Sequence, residues 1–201
     1  MPSAILPPSG FYYDPDTERP MMDGRPVMGA TDAMRLSGIM DGQTWGSDYD
    51  LWCGRARHKA VELWVKNTLD LATLHPDIQP SLEAFLKFQS ETGFQPTHSE
   101  YKVWNPVYQV ATRIDLLGEF PDGQQGIVEL KSGTVSKTAA IQTAIQDILM
   151  GAQRTRKRYG LSIPKTGRPN VALYGNRDDY SIAISVMNIA HWRVKELGAK
   201  F

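Results

Sequence analysis

The sequence lacks the features that mark several broad classes of protein. A single cysteine, Cys53, among 201 residues excludes an intrachain disulfide and fits a reducing compartment. Lysine plus arginine and aspartate plus glutamate cancel at 22 each, so the strong positive field of a non-specific nucleic-acid binder is absent. No apolar run approaches the roughly 20 residues of a membrane-spanning helix, and the N-terminal residues lack the pattern of a secretory signal. We therefore expect a cytoplasmic protein that is not membrane-bound.

Hydropathy patterning divides the chain into an irregular first segment and a patterned remainder. Residues 1–29 are rich in Pro, Gly and Asp without a sustained period, which predicts an extended N-terminal arm. Residues 30–201 are long enough to bury one core and are predicted to form a single domain.

Within that domain, apolar spacing near 3.6 residues predicts helices, and alternation of apolar and polar residues predicts strands. The predicted helices are 31–39, 51–74, 81–92, 136–159 and 188–197, and the predicted strands are 98–104, 109–120, 126–133, 170–175 and 180–186. This order predicts an α/β fold with a central mixed β-sheet and helices on both sides.

The two strands of a predicted hairpin carry three distinctive polar side chains. Because side chains alternate across a strand, Glu129 and Lys131 share one face of the second strand. Asp115 on the first strand joins them if four apolar neighbours face one common core, namely Ile114, Leu116, Val128 and Leu130. Two carboxylates suit Mg²⁺ or Mn²⁺, and an adjacent lysine suits a water that such a cation activates. The hairpin therefore predicts a site for a hard cation.

The same hairpin has a simpler interpretation. Asp115 and Glu129 are also compatible with exposed hairpin positions, paired with Arg113 and Lys131, where ion pairs contribute little. For an isolated D…ExK pattern this interpretation is the stronger one.

Two helices shift the balance toward a functional site. The motif GRARHKAVE places Gly54 four residues before His58 at the start of one predicted helix. The helix after the hairpin carries Gln142, Gln146 and Gln153 on a stripe separate from its apolar residues. Taken singly, a helical histidine is more often structural and helical glutamines are more often solvent-facing.

In combination, these motifs resemble the RecB-like branch of the PD-(D/E)XK nucleases, which includes many phage exonucleases. The similarity spans about His58 to Gln146, in the order G-x-x-x-H, Asp, E-x-K and Gln. It implies a restriction-endonuclease-like αβββαβ core and a metal-dependent DNA nuclease activity with Mg²⁺ or Mn²⁺. It further implies an exonuclease of recombination or DNA end processing, in a bacterium or a phage-infected host cell.

The resemblance also implies roles for individual residues. The implied metal ligands are His58, Asp115, Glu129 and the backbone carbonyl of Leu130. The implied catalytic residues are Asp115, Glu129, Lys131 and Gln142, with Gln142 in the position of the family's glutamine. The chain departs from the family pattern at Gln146, where the family has a tyrosine, and at Thr112, where a glycine is frequent. These departures remove no ligand, but they bear on positioning and strand polarity.

Several polar and aromatic residues outside this set have open roles. The cations of RTRKR (154–158) either complement the dipole at a helix C-terminus or bind phosphate. The residues predicted to contact DNA are Gln146, Arg154, Arg156, Lys157 and Arg158. Three tryptophans, Trp45, Trp52 and Trp104, either stack on unpaired bases or pack in the core. Glu100 is either a further acid near the site or a charge that protects a strand edge.

Three functions remain compatible with the sequence. The first is a Mg²⁺- or Mn²⁺-dependent DNA nuclease, for which a single-strand annealing protein or a helicase is a candidate partner. The second is a catalytically silent nuclease-fold module that binds DNA or recruits a partner, favoured by Gln146 and the neutral net charge. The third is a structural phage protein that binds neither metal nor DNA. The sequence leaves the oligomeric state and the choice between chain ends and internal sites open.

Overall fold

The computed structural model describes residues 8–40, 47–151 and 156–201. The helices in these ranges are α1 (Ala30–Leu36), α2 (Asp48–Val65), α3 (Gln79–Thr92), α4 (Thr138–Leu149) and α5 (Asp178–Leu197), with a 3-10 turn at Leu71–Thr73. The strands are β1 (Phe11–Tyr13), β2 (Pro20–Met22), β3 (Arg25–Pro26), β4 (Met28–Gly29), β5 (Gln95–Asn105), β6 (Val110–Glu119), β7 (Gln125–Lys131), β8 (Lys157–Ser162) and β9 (Asn170–Tyr174). None of these helices combines the length and apolar character that a membrane span requires.

A six-stranded mixed sheet lies at the centre of the molecule. Its strands run in the order β4–β6–β7–β8–β9, and β5 pairs with β6 as well. The pairs β4–β6 and β7–β8 are parallel, while β5–β6, β6–β7 and β8–β9 are antiparallel. A separate three-stranded sheet, β1–β2–β3, is antiparallel throughout. The predicted α/β fold with a central mixed sheet is confirmed.

Helices cover both faces of the central sheet, and each face has its own apolar core. On one face α4, α1 and α5 bury residues such as Ile141 and Ile145 against Ile127 of the sheet. On the other face α3 buries Phe85 and Phe88, and α2 contributes a smaller part. Burial of each such side chain stabilises the fold by roughly 1.5–3 kcal/mol. The sheet is therefore a rigid platform for side chains at its edges.

The sheet opens beside the middle of β6. Strand β5 pairs with one side of β6 along its length. On the other side β7 pairs with residues 116–119, and β4 pairs with residues 110–111. Residues 112–115 therefore have no ladder partner on this side among the described residues. This opening between β4 and β7 contains Asp115 and positions the site described below.

Around this opening, the side chains of β6 do not follow the simple alternation that the sequence predicted. Leu116, Val128 and Leu130 share one core as predicted, but Ile114 lies in the core on the opposite face. The pleat is interrupted between Ile114 and Leu116, where the ladder with β7 ends and where β5 contains a residue with positive φ, Glu100 (φ 52°).

Three helix boundaries differ from the predictions for identifiable reasons. Helix α2 begins earlier than expected because Ser47 and Asp50 form a capping box, and it ends at Val65, before Asn67 adopts a left-handed conformation (φ 54°). The predicted helix over 136–159 is wrong at residues 150–151 and 156–159, since α4 ends at Leu149, Gly151 adopts positive φ and Lys157–Ser162 forms β8. Helix α3 ends at Gly93 as expected.

The strand predicted over 180–186 is wrong. Tyr180, Ile182, Ile184 and Val186 alternate with smaller or polar residues, which imitates the period of a strand. The segment lies instead in α5, where the buried residues Tyr180, Ala183, Val186, Met187 and Ala190 follow a helical period. The packing of α5 against α1 and α4 stabilises the helix, although the residues of this segment have a high local propensity for strands.

The first segment of the chain contains short strands. From residue 8 onward it forms the β1–β3 sheet, and β4 then joins the central sheet through the pair Met28–Val110. The separation of an arm (1–29) from a domain (30–201) stays a prediction.

Candidate metal centre

Asp115 on β6 occupies the opening between β4 and β7. Its Oδ2 accepts a hydrogen bond of 2.7 Å from the backbone N–H of Leu130, which would otherwise lack a partner in β6. Its Oδ1 lies 3.5 Å from Nδ1 of His58 on α2. The carboxylate thus links the split strands to the helix that packs above them.

Glu100 completes a compact group with Asp115 and His58. Ligand atoms of the three side chains all lie within 4.8 Å of one another. Glu100 adopts φ 52°, an unusual backbone conformation for a non-glycine residue within a strand. Its carboxylate also forms an ion pair with Arg113, with 2.8 Å between Oε2 of Glu100 and Nε of Arg113. Backbone strain of this kind is often stored at functional sites.

Glu129 lies beside this group in a dense hydrogen-bond network. Its Oε1 accepts from Lys131 Nζ at 3.0 Å and from Gln142 Nε2 at 2.7 Å, and its Oε2 accepts from Gln146 Nε2 at 2.8 Å. The Gln142 Oε1 in turn accepts from Lys131 Nζ at 2.9 Å. Helix α4 therefore braces the E-x-K motif through two glutamines one turn apart. Glu129 is only 4% exposed, so these donors hold its carboxylate in one position.

Burial and mutual charge shift the ionisation of the central acids in different directions. Burial raises the pKa of Glu129, and the negative charge of Asp115 adds to the increase despite the nearby Lys131. Burial would also raise the pKa of Asp115, but the charges of His58 and Lys131 and the Leu130 N–H hold it below its ordinary value. Burial raises the pKa of Glu100 to about 7, and repulsion from Asp115 contributes.

The two basic groups keep their protons more tightly than usual. Burial opposes the charged forms of both, but Asp115 raises the pKa of His58, and Glu129 together with Asp115 raises the pKa of Lys131. The site therefore combines a histidine and a lysine with three acids, and the mutual repulsion of the acids makes it attractive for a cation.

An open cavity of 1010 Å³ leads to these residues. Its floor includes His58, Glu100, Asp115, Glu129 and Gln142. Side chains of α2 form one wall, and residues of β1, α1 and β6 form others.

The structure brings together all five side chains that the sequence motifs pointed to, which are His58, Asp115, Glu129, Lys131 and Gln142. It adds Glu100, which sequence reasoning had left open between a site acid and an edge-strand charge. Only the alternation of HSEYKVW pointed to Glu100, and alternation does not reveal a positive φ. The distances group Asp115 with His58 and Glu100, whereas Glu129 is engaged mainly with Lys131, Gln142 and Gln146.

Within the basic run after α4, Lys157 lies far from this centre along the sheet. In the β7–β8 ladder Lys157 pairs with Gly126, while Lys131 pairs with Ser162 at the other end. Five residues of strand correspond to about 17 Å. Lys157 forms an ion pair with Asp122 of the hairpin turn.

The neighbouring arginines make structural contacts. Arg158 is 2% exposed and bonds to Asp179 and the Ala140 carbonyl, and Arg156 bonds to Asp147. Gln146 is also fully buried, and Arg154 and Trp45 lie outside the described residues. A DNA-contact role for these residues stays a prediction.

The chain is similar to several solved structures. A protein from Eubacterium rectale, provisionally described as an exonuclease, matches with a TM-score of 0.53 and 11% identity, over 87% of this chain and 83% of that chain. An alkaline exonuclease from Laribacter hongkongensis matches with a TM-score of 0.44 and 15% identity, over 81% and 86%. The same enzyme in complex with dAMP gives a TM-score of 0.37 and 14% identity, over 86% and 93%.

No protein-family model and no curated protein sequence matches the chain. At these levels of identity the first of the structural similarities shows a common fold and nothing finer. What the chain does must therefore be argued from its own side chains.

Proposed function

We propose that the chain is a divalent-cation-dependent DNA nuclease of the PD-(D/E)XK type. The observation that carries this proposal is the convergence of His58, Glu100 and Asp115 within 4.8 Å, at the floor of an open cavity and beside the Glu129–Lys131 pair. The fold shared with the Eubacterium rectale structure supports it.

The side chains present fit a hard divalent cation. Carboxylate oxygens are the ligands that Mg²⁺ and Mn²⁺ prefer, and one imidazole favours Mn²⁺ over Mg²⁺. Asp115 and Glu100 lie close together, and burial first and repulsion from Asp115 second raise the pKa of Glu100, so both effects favour a cation beside the two acids. We assign His58, Glu100 and Asp115 as the principal ligands, with Glu129 and the Leu130 carbonyl next to them.

A bound cation would neutralise charge on a phosphodiester and make a nearby water more acidic. The other roles in the reaction are assigned to Lys131, Gln142 and Glu129. Lys131 keeps its proton and presents an ammonium group to the reacting phosphate or to the attacking water. Gln142 bonds to both Lys131 and Glu129, so it fixes the ammonium relative to the carboxylate.

We further propose that the enzyme belongs to the RecB-like branch and acts as an exonuclease on DNA ends in recombination or end processing. The supporting features are the placement of His58 on a helix before the sheet and the glutamine of α4 on the E-x-K motif. A single-strand annealing protein or a helicase is the partner class that this role implies.

The test is incubation of the purified chain with linear and circular DNA, each single- and double-stranded, in the presence of Mn²⁺, Mg²⁺ or EDTA. The Lys131→Ala variant serves as the matched negative control. We expect cation-dependent loss of linear DNA by the wild type only. Cleavage of circles would reassign the activity to an endonuclease, and no cleavage under any condition would contradict the proposal and favour a binding module.

A further inference from the structure

Two exposed aromatic side chains stack on each other at the mouth of the cavity. The rings of Tyr49 and Trp52, both on the first turns of α2, lie 6.0 Å apart at an interplanar angle of 25°. Tyr49 is 58% exposed and Trp52 is 46% exposed, and Trp52 lines the cavity that leads to the metal centre. Large aromatic rings in such a position expose apolar surface that a ligand could cover.

Neighbouring polar groups hold the two rings in place. The Tyr49 hydroxyl donates a hydrogen bond of 2.9 Å to Asp77 Oδ2, and the pKa of Tyr49 rises to about 12, chiefly through this bond. His75 from the same loop meets the Trp52 ring edge-on, with centroids 6.2 Å apart. The aromatic pair is therefore preorganised, which lowers the entropy that a ligand would have to remove on binding.

The same side of α2 continues from the aromatic rings into cations and then to the metal centre. Trp52, Arg55, Lys59 and Lys66 all line the cavity at helical spacing. Arg55 forms no ion pair with any acidic residue in the described ranges, and it lies between the rings and His58. Six residues of helix separate Trp52 from His58, a rise of about 9 Å. An aromatic surface followed by cations suits a backbone of phosphates with accessible bases.

We propose that Tyr49 and Trp52 form a base-stacking platform for single-stranded DNA, which holds an unpaired base a short distance from the scissile phosphate. The inference rests on the proposed nuclease function and adds the substrate class. Bases of a duplex are stacked on one another inside the helix, so their faces are not available to Trp52. Arg55, which lies between the platform and His58 on α2, then contacts the phosphate between the platform and the metal centre.

The experiment measures binding in a Lys131→Ala background, so that cleavage does not consume the probe. Fluorescence anisotropy follows a labelled oligothymidylate and a labelled duplex of the same length. We expect Trp52→Ala to weaken binding of the single strand about tenfold and to leave duplex binding nearly unchanged. Trp52→Phe should restore most of the affinity, and Trp192→Ala, at a 55% exposed tryptophan outside the cavity, should have no effect.

A second measurement keeps the inference testable if Trp52→Ala does not fold. In the Lys131→Ala protein, a single abasic site is moved stepwise along the oligothymidylate, anchored at one end. Loss of affinity at one or two adjacent positions, on the single strand only, supports the platform. Uniform affinity at all positions, or equal losses on single strand and duplex, would overturn it. Cation-dependent cleavage by the wild type in those cases would leave the proposed nuclease function intact.

Discussion

The acids on the two sides of the strand opening are stabilised in contrasting ways. Glu129 receives hydrogen bonds from Lys131, Gln142 and Gln146 and is almost completely buried. Asp115 and Glu100 lie close to each other, with His58 next to Asp115 and Arg113 next to Glu100. The first arrangement satisfies a carboxylate with protein donors, and the second leaves two acids that a cation would stabilise further. We call Glu129 with its three donors the rigid half of the site, and Asp115 with Glu100 the ligand-dependent half.

The largest expected effect comes from substitution of Asp115. This residue lies next to Glu100 and also bonds to the backbone of β7 beside Glu129. Asp115→Asn removes the charge next to His58 but keeps the shape of the side chain, so the Leu130 N–H retains an acceptor. We expect cleavage of linear DNA in Mn²⁺ to fall by roughly 10²–10³-fold or more. Glu119→Gln, at the exposed end of β6, is the control with unchanged activity. Retention of activity by Asp115→Asn would remove this acid from the centre.

Glu100→Gln tests the ligand-dependent half. The amide retains the volume of Glu100 but is a poor ligand, so the Mn²⁺ concentration for half-maximal cleavage should rise about 10–100-fold. Glu62→Gln is a matched control, because Glu62 lines the same cavity but pairs with Lys59 and Lys66. An unchanged Mn²⁺ dependence in Glu100→Gln would assign this residue to the strand edge alone.

Gln146→Leu tests the rigid half. The substitution removes one of three donors to a buried carboxylate, which should lower the free energy of unfolding by about 1–3 kcal/mol. It should also raise the pKa of Glu129 further and shift the acidic limb of the pH–rate profile to higher pH. Urea unfolding and the pH dependence of cleavage measure the two effects. A change in stability with an unaltered pH profile would mean that Gln146 serves packing only.

The last expected effect concerns only the stability of the metal-free protein and not its activity. The pKa of Glu100 is raised from 4.5 to about 7 on folding, so between these pH values the unfolded chain has lost a proton that the folded chain retains. The free energy of unfolding in EDTA should therefore decrease as pH rises through this window, by about 1–3 kcal/mol from this group.

Glu100→Gln serves as the reference for that decrease, because it does not titrate. The wild type should lose stability relative to Glu100→Gln as pH rises, as measured by thermal unfolding in EDTA. Parallel curves for the two proteins would contradict the proposed cost of ionising Glu100.

The parts of the fold that the sequence predicted are those in which local pattern and tertiary packing agree. The β6–β7 hairpin follows from its alternation and from the Asp122-Gly123 turn, and it places Asp115 on the strand next to Glu129 and Lys131, although Ile114 does not follow the simple alternation. Gln142 and Gln146 follow from the helical spacing of α4. The hairpin therefore indicated the centre of the site from a short stretch of chain.

The parts that could not be predicted depend on contacts between distant segments. The left-handed backbone of Glu100 turns an edge-strand charge into a neighbour of Asp115, and alternation gives no sign of it. Ile114 changes cores because β7 separates from β6 at that point. The segment 180–186 has the alternation of a strand, and only its packing against α1 and α4 makes it a helix.

Titration of the metal-free protein with Mn²⁺, followed by calorimetry, tests the central claim most directly. We predict saturable binding by the wild type, about 10–100-fold weaker binding by Glu100→Gln and no measurable binding by Asp115→Asn. All variants should unfold cooperatively in EDTA, so that lost binding reports lost ligands. Equal binding by the three proteins, or none by the wild type, would contradict a metal centre formed by His58, Glu100 and Asp115.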